Sequence, residues 1–163
     1  MKDSKPTFIE RHGLDVLRIS VGVVFFWFGF LKFFGSTSAA EEIASRTIAT
    51  ITFDLMQPNV SMPFLALLEC IIGIGLLTKK YMKYIIPVLY FQMAGAILPL
   101  VIFTDQTWSA PFVPTLLGQY IIKNIILIAA GIVLGVESKG GKLIADPVIA
   151  EEAKKEEEKI IDN

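Results

Sequence analysis

Residues 14–34 read LDVLRISVGVVFFWFGFLKFF, an apolar run with Arg18 near its start and Lys32 near its end. Crossing about 30 Å of hydrocarbon takes about 20 helical residues, so this run is long enough to span a membrane. A charge held in hydrocarbon costs roughly 2.5–3.5 kcal/mol on insertion scales. Lys32 therefore needs a partner, a wet cavity or a route to the interface, and such residues mark functional sites by default.

Working outward, three more apolar blocks follow at residues 61–78, 84–103 and 119–136. The second is the shortest and carries Glu69, and the fourth carries Lys123. The chain has 163 residues, is 53% hydrophobic and has a mean hydropathy of +0.60, above a soluble domain. Four spans leave no room for a separate soluble domain. The expected architecture is all-α: an integral membrane four-helix bundle over residues 1–138, followed by a charged cytoplasmic tail at 139–163.

The net charge of −1 conceals an asymmetry. Lys2, Lys5, Arg11 and Arg18 surround the start of the first span, Lys79, Lys80 and Lys83 fill the link after the second, and Lys139 and Lys142 follow the fourth. The opposite side has Arg46 and Asp105. By the positive-inside rule both termini are cytoplasmic. A basic start, an apolar stretch and the small residues at 35–40 also fit a cleaved signal peptide. The run is longer than the usual h-region and cleavage would remove Lys32, so the first span is read as retained.

Cys70 is the single cysteine and His12 the single histidine. One cysteine excludes an internal disulfide or a CxxC relay within this chain, and the donor count falls short of a metal site. Cys70 reads as a small buried hydrophobe.

Between the first two spans, residues 39–56 (AAEEIASRTIATITFDLM) can form a helix with Ser38 as N-cap and Glu41 as capping-box partner. Ile43, Ile48, Ile51 and Leu55 roughly share a face, which fits a helix on the outer membrane surface or over the bundle mouth. The short link at 78–83 makes spans two and three an antiparallel hairpin. Pro87 and Pro99 interrupt hydrogen bonding near the ends of span three. Residues 104–118 form a second outer loop with Trp108 suited to the interface. Residues 147–161 (PVIAEEAKKEEEKII) read as a solvated helix of marginal stability.

At about 1.5 Å per residue, Lys32, Glu69 and Lys123 lie about 4–5, 9 and 7–8 Å below one membrane boundary, a nearly common level. Arg18, Gly22, Phe25, Gly29 and Lys32 form one helical stripe. Ala66, Glu69 and Gly73 share a face, as do Gln92, Gly95 and Pro99, and Lys123 shares one with Leu127 and Ala130. Four such faces would enclose a narrow pocket opening outward, with Lys32, Glu69, Gln92 and Lys123 as ligand-binding candidates. Two lysines against one glutamate leave an excess positive charge, which favours an anion or a ligand with carbonyl oxygens. Simpler roles exist for each residue. Either lysine can snorkel to the interface, a Glu–Lys pair can be a structural clamp, Arg18 can anchor a headgroup or a helix end, and Gln92 can bridge helices.

The stretches LRISVGVVFFWFGFLKF (17–33), LLECIIGIGLL (67–77), the pair Pro99-Leu100 and GQYIIKNIILIAAGIVL (118–134) resemble the DoxX-like superfamily. They are especially similar to its YkgB-type branch of reactive chlorine resistance membrane proteins. The matching pattern is Arg18, then Gly29, Lys32 and Phe33, then Glu69, then Lys123. The resemblance implies a four-helix fold in the bacterial cytoplasmic membrane and a theme of redox stress, including quinone-coupled oxidation of sulfur compounds.

The functional expectation is an outward pocket binding a quinone or a small oxidant or sulfur anion, with the lysines on oxygen atoms and Glu69 orienting them or relaying a proton. No intrinsic cofactor is read from the chain. Electron transfer would then need the bound quinone or a membrane redox partner subunit. The competing expectation is a non-enzymatic scaffold or assembly factor whose charges hold the helices. A transporter fits less well without an inverted repeat. The lipid bilayer is the expected partner, self-association and catalysis are left open, and nucleic acid is not expected.

Overall fold

The computed structural model describes residues 8–34 and 39–141, with residues 151, 152 and 155 beyond them. Ser38 and most of the tail at 139–163 lie outside the described residues. The elements run α1 (Phe8–Lys32), α2 (Ala39–Ile51), α3 (Pro58–Thr78), α4 (Met82–Ile97), α5 (Pro99–Ile102), α6 (Thr104–Thr107), β1 (Trp108–Ala110), β2 (Val113–Pro114), α7 (Leu116–Ile122) and α8 (Asn124–Ser138). Four stretches are long and apolar enough to cross a membrane: His12–Lys32, Pro58–Thr78, Met82–Ile102 and Leu116–Ser138. This is an all-α four-helix membrane bundle. The second span, expected to be the shortest, has 21 residues like its neighbours. Pro58 at the first helical position starts it early, where a missing N–H costs nothing.

The bundle is turned apolar side outward. Val16, Ile19, Val23, Trp27 and Phe30 form an exposed stripe on α1, and Phe64, Leu67, Ile71 and Ile74 form another on α3. In water such faces would be a liability, whereas in lipid they are the solvated surface. Cohesion then rests on close packing, which glycine supplies. A Cβ on Gly73 would lie 2.5 Å from the Phe26 backbone nitrogen, and one on Gly29 would lie 2.8 Å from the Glu69 Cβ. Helices α1 and α3 therefore touch backbone to backbone. On the opposite pair, a Cβ on Gly131 would lie 2.8 Å from Leu89. The core joining the two pairs (Phe25, Ile72, Leu76, Ile85, Ile86, Leu89, Met93 and Leu134 among others) gathers mainly toward the end where α3 turns into α4. The α2 end is hollow.

Lys79 and Tyr81 both take left-handed conformations (φ 58° and 55°) to make the tight α3–α4 link. Arg18, buried in α1, donates to the Leu76 and Leu77 carbonyls at the end of α3 and to Asp15 at 2.9 Å. It is a helix-end anchor. Lys79 adds a 2.6 Å bridge to Glu137, joining the α3–α4 link to α8. The Glu137 hydrogen bond holds the Lys79 ammonium above its usual range. A raised lysine pKa contributes stability that is intact at neutral pH and lost only as pH climbs through that raised value. Lys79 is half exposed while Glu137 is largely buried, and the solvent at the Lys79 end keeps the pair weak, so Glu137→Gln should cost about 1 kcal/mol, and less in high salt. Unfolding of the two proteins at low and high ionic strength checks this, and an effect that persists in high salt contradicts it.

Two connections depart from expectation. Helix α2 stops at Ile51 instead of reaching Met56, because Phe53 and Asp54 turn left-handed (φ 51° and 61°). Leu55 is then 84% exposed and Ile51 48% exposed, while Ile43 and Thr47 are buried. The helix sits over the bundle with Ile43, Ala44, Thr47, Ile48 and Ile51 on the cavity, so of the apolar face read as Ile43, Ile48, Ile51 and Leu55 only Leu55 falls away. Residues 104–118 hold a small antiparallel hairpin, β1 with β2, within the otherwise helical chain. The half-buried Trp108 donates its indole N–H to the Leu100 carbonyl at 2.9 Å, tying this loop to α5.

Candidate functional site

Gly29 explains how the site is assembled. Its missing side chain lets α1 close on α3 at Glu69, and Lys32 lies one turn further on. The Lys32 Nζ reaches the Glu69 Oε2 at 2.6 Å, with side chains only 12% and 11% exposed. Gln92 on α4 donates its Nε2 N–H to the other carboxylate oxygen at 3.2 Å. Lys32 also approaches the Phe28 carbonyl at 3.5 Å. Three spans thus meet on one carboxylate, whose two oxygens are both engaged. A buried charge pair is tolerable when it is this fully hydrogen-bonded.

These groups edge a cavity of about 630 Å³ in the hollow half of the bundle. Its walls are largely apolar: Val24, Phe25 and Phe28 from α1, Phe64, Leu65 and Leu68 from α3, and Phe91 to Ala96 around Gln92 on α4. Tyr120, Ile121, Asn124 and Leu127 form the fourth wall. Helix α2 covers one end with Glu41, Ile43, Thr47 and Ile48. Several lining residues are also exposed on the bundle surface, namely Phe28, Phe64, Tyr120 and Phe91, the last at 73%. They belong to membrane-spanning segments, so part of the cavity wall is also lipid-facing surface.

Lys32, Glu69 and Gln92 are brought together, but Lys123 is not. It is exposed, absent from the cavity lining, and its Nζ stacks 4.9 Å from the Tyr120 ring. Lys123 keeps helical dihedrals (φ −58°, ψ −20°) between α7 and α8, and the face turned to the cavity runs through Tyr120, Ile121, Asn124 and Leu127, with Lys123 beside it and not on it. Asn124, one residue on and about 100° around the helix, takes the cavity position instead. The excess positive charge read from the sequence does not form here. Lys32 meets Glu69, and Glu41 adds a second carboxylate to the lining. Asn124 and the α2 residues Glu41 and Thr47 are site residues that sequence reasoning missed. A polar Asn inside a span was a readable signal, and α2 was readable as a helix over the bundle mouth, but which of its polar residues face the cavity depends on its docking. Cys70 is buried in the α1–α3 seam, with its sulfur 4.0 Å from the Phe26 carbonyl oxygen. Among the described residues no group of three His, Cys, Asp or Glu side chains is placed to hold a metal.

Such a structure defines a class: a small multi-pass membrane bundle with a capped apolar cavity and one buried charge pair at its edge. The family model for DoxX matches residues 13–104, which carry α1 to α5 and include Lys32, Glu69 and Gln92. The chain belongs to the DoxX family. No curated protein and no solved structure matches it.

Proposed function

We propose that the cavity binds a membrane quinone and that the protein serves redox-stress chemistry in the bacterial cytoplasmic membrane, with both termini in the cytoplasm. The carrying observation is the shape and lining of the cavity. About 630 Å³ of mostly apolar space, walled in part by residues on the lipid-facing surface, fits a ring with an isoprenoid tail better than a small oxidant or sulfur anion. An anion would meet Glu69 and Glu41 without the surplus cation expected to attract it. A quinone carbonyl needs only a hydrogen-bond donor. Lys32 and Gln92 each keep an N–H beyond those given to Glu69, and Glu69 holds both in place. Reduction to the quinol takes two electrons and two protons. The Lys32–Glu69 pair can pass a proton, and the electrons come from a membrane redox partner subunit. The similarity to the YkgB-type branch supports the redox-stress theme.

Gly95 gives the test. It lines the cavity, and a Cβ there meets nothing within 4 Å. Gly95→Leu should fill the space while stabilising the helix by about 0.5–1 kcal/mol, as replacing a helical glycine with open space around its Cα does. Native mass spectrometry with added ubiquinone or menaquinone should show a bound quinone in the wild type and at least a tenfold loss in the variant. Equal retention in the two proteins rejects the cavity as the quinone site.

A scaffold reading has one observation in its favour: the Lys32–Glu69 pair lies in the tightest helix seam, with both carboxylate oxygens satisfied inside the protein. Gly95→Leu leaves that clamp intact. Unchanged oxidant tolerance in cells carrying this variant favours the scaffold.

A further inference from the structure

A second hollow lies at the opposite end of the molecule, between α4 and α8, with a volume of about 270 Å³. Gly135 opens it, since even a Cβ there would sit 3.0 Å from the Tyr90 hydroxyl. Ile132 forms an apolar, surface-exposed edge, and Lys83 and Lys139 stand at the rim. Neither lysine makes an ion pair with any described residue, and the Tyr90 hydroxyl makes no hydrogen bond with one. The nearby acid Glu137 is already engaged by Lys79 at 2.6 Å, so it does not neutralise the rim. Two ammonium groups without an ion pair among the described residues, that of Lys83 lying 4.7 Å from the Tyr84 ring centre, and a hydroxyl thus stand above an apolar slot on the lipid-facing side of two spans.

We propose that this groove is a binding site for an anionic phospholipid, with the phosphate between Lys83 and Lys139 and the first part of an acyl chain along Ile132. Basic pockets between transmembrane helices take anionic headgroups in this manner. A free phosphate would use the lysines but leave the apolar slot empty. A zwitterionic lipid would fill the slot but gain little from the lysines.

The test uses the full chain purified in mild detergent, with phosphatidylglycerol or phosphatidylcholine of matched chains added and bound lipid read by native mass spectrometry. Wild-type protein should retain phosphatidylglycerol about 30-fold more strongly than Lys83→Gln/Lys139→Gln, given the usual attraction of two lysines near a charged lipid. Both side chains are exposed, so the variant should keep the wild-type melting temperature. Ile132→Trp keeps the lysines but occupies the slot, and it should also lose the lipid. Millimolar inorganic phosphate should not displace it. Undiminished retention in either variant, equal retention of phosphatidylcholine, or displacement by phosphate overturns the proposal.

Discussion

Gly73→Ala is expected to lower stability by about 3 kcal/mol, the upper part of the usual range for overpacking. The added methyl would lie 2.5 Å from the Phe26 nitrogen and 2.7 Å from its Cα. Those are backbone atoms of a helix and cannot rotate away as a side-chain tip does. Helix α1 must therefore shift as a body, loosening the contacts of Gly22 and Gly29 with α3 together. A membrane bundle has no hydrophobic effect between its helices to compensate, because lipid solvates an apolar face as well as a neighbouring helix does. Thermal unfolding in detergent should show a clearly lower midpoint. The control is Gly95→Ala, where open space makes the same chemical change harmless. Equal midpoints for the two variants would contradict the backbone-contact account of the seam.

The second large effect is at the charge pair. Removing Lys32 alone leaves Glu69 buried opposite no cation, which typically costs about 3–5 kcal/mol. Replacing both partners with neutral groups of similar shape removes the desolvation penalty along with the attraction, and is often nearly neutral. Lys32→Met should therefore be much less stable than Lys32→Met/Glu69→Gln, in which Gln92 keeps a partner at position 69. A double variant as unstable as the single one would mean that the loss comes from packing of the lysine stem and not from charge. The rescued protein also separates the two functional readings. If the pair serves a quinone, stability returns without quinone retention. If it is a clamp, stability and cellular function return together.

The apolar runs were legible because hydrocarbon imposes one requirement on every spanning residue, independent of what lies beside it. Lys32 and Glu69 were legible for a related reason: a charge at that depth must find an opposite charge, and the span directions brought these two to one level. Gln92 lay on the matching face of an uninterrupted stretch of α4. Lys123 was misplaced because its face was centred on Leu127 and Ala130, whereas the cavity takes the helical face through Tyr120, Ile121, Asn124 and Leu127. One residue along a regular helix is enough to move a side chain to another side, since each position advances about 100°. The face of α2 was legible as far as Ile51, and the left-handed turn at Phe53 and Asp54 took only Leu55 off it.

The sequence by itself determined that this chain crosses the membrane four times and that a lysine and a glutamate from separate spans lie at nearly one level, where pairing is one of few ways to hold their charges. Hydropathy and the cost of lone charges are local properties, and they leave few alternatives. Only the tertiary structure decided that Gly29 and Gly73 bring α1 against α3, that the second lysine stays outside, and that α2 closes a mostly apolar chamber. Those outcomes depend on which backbone approaches which and where a helix breaks, and interactions between distant residues set both.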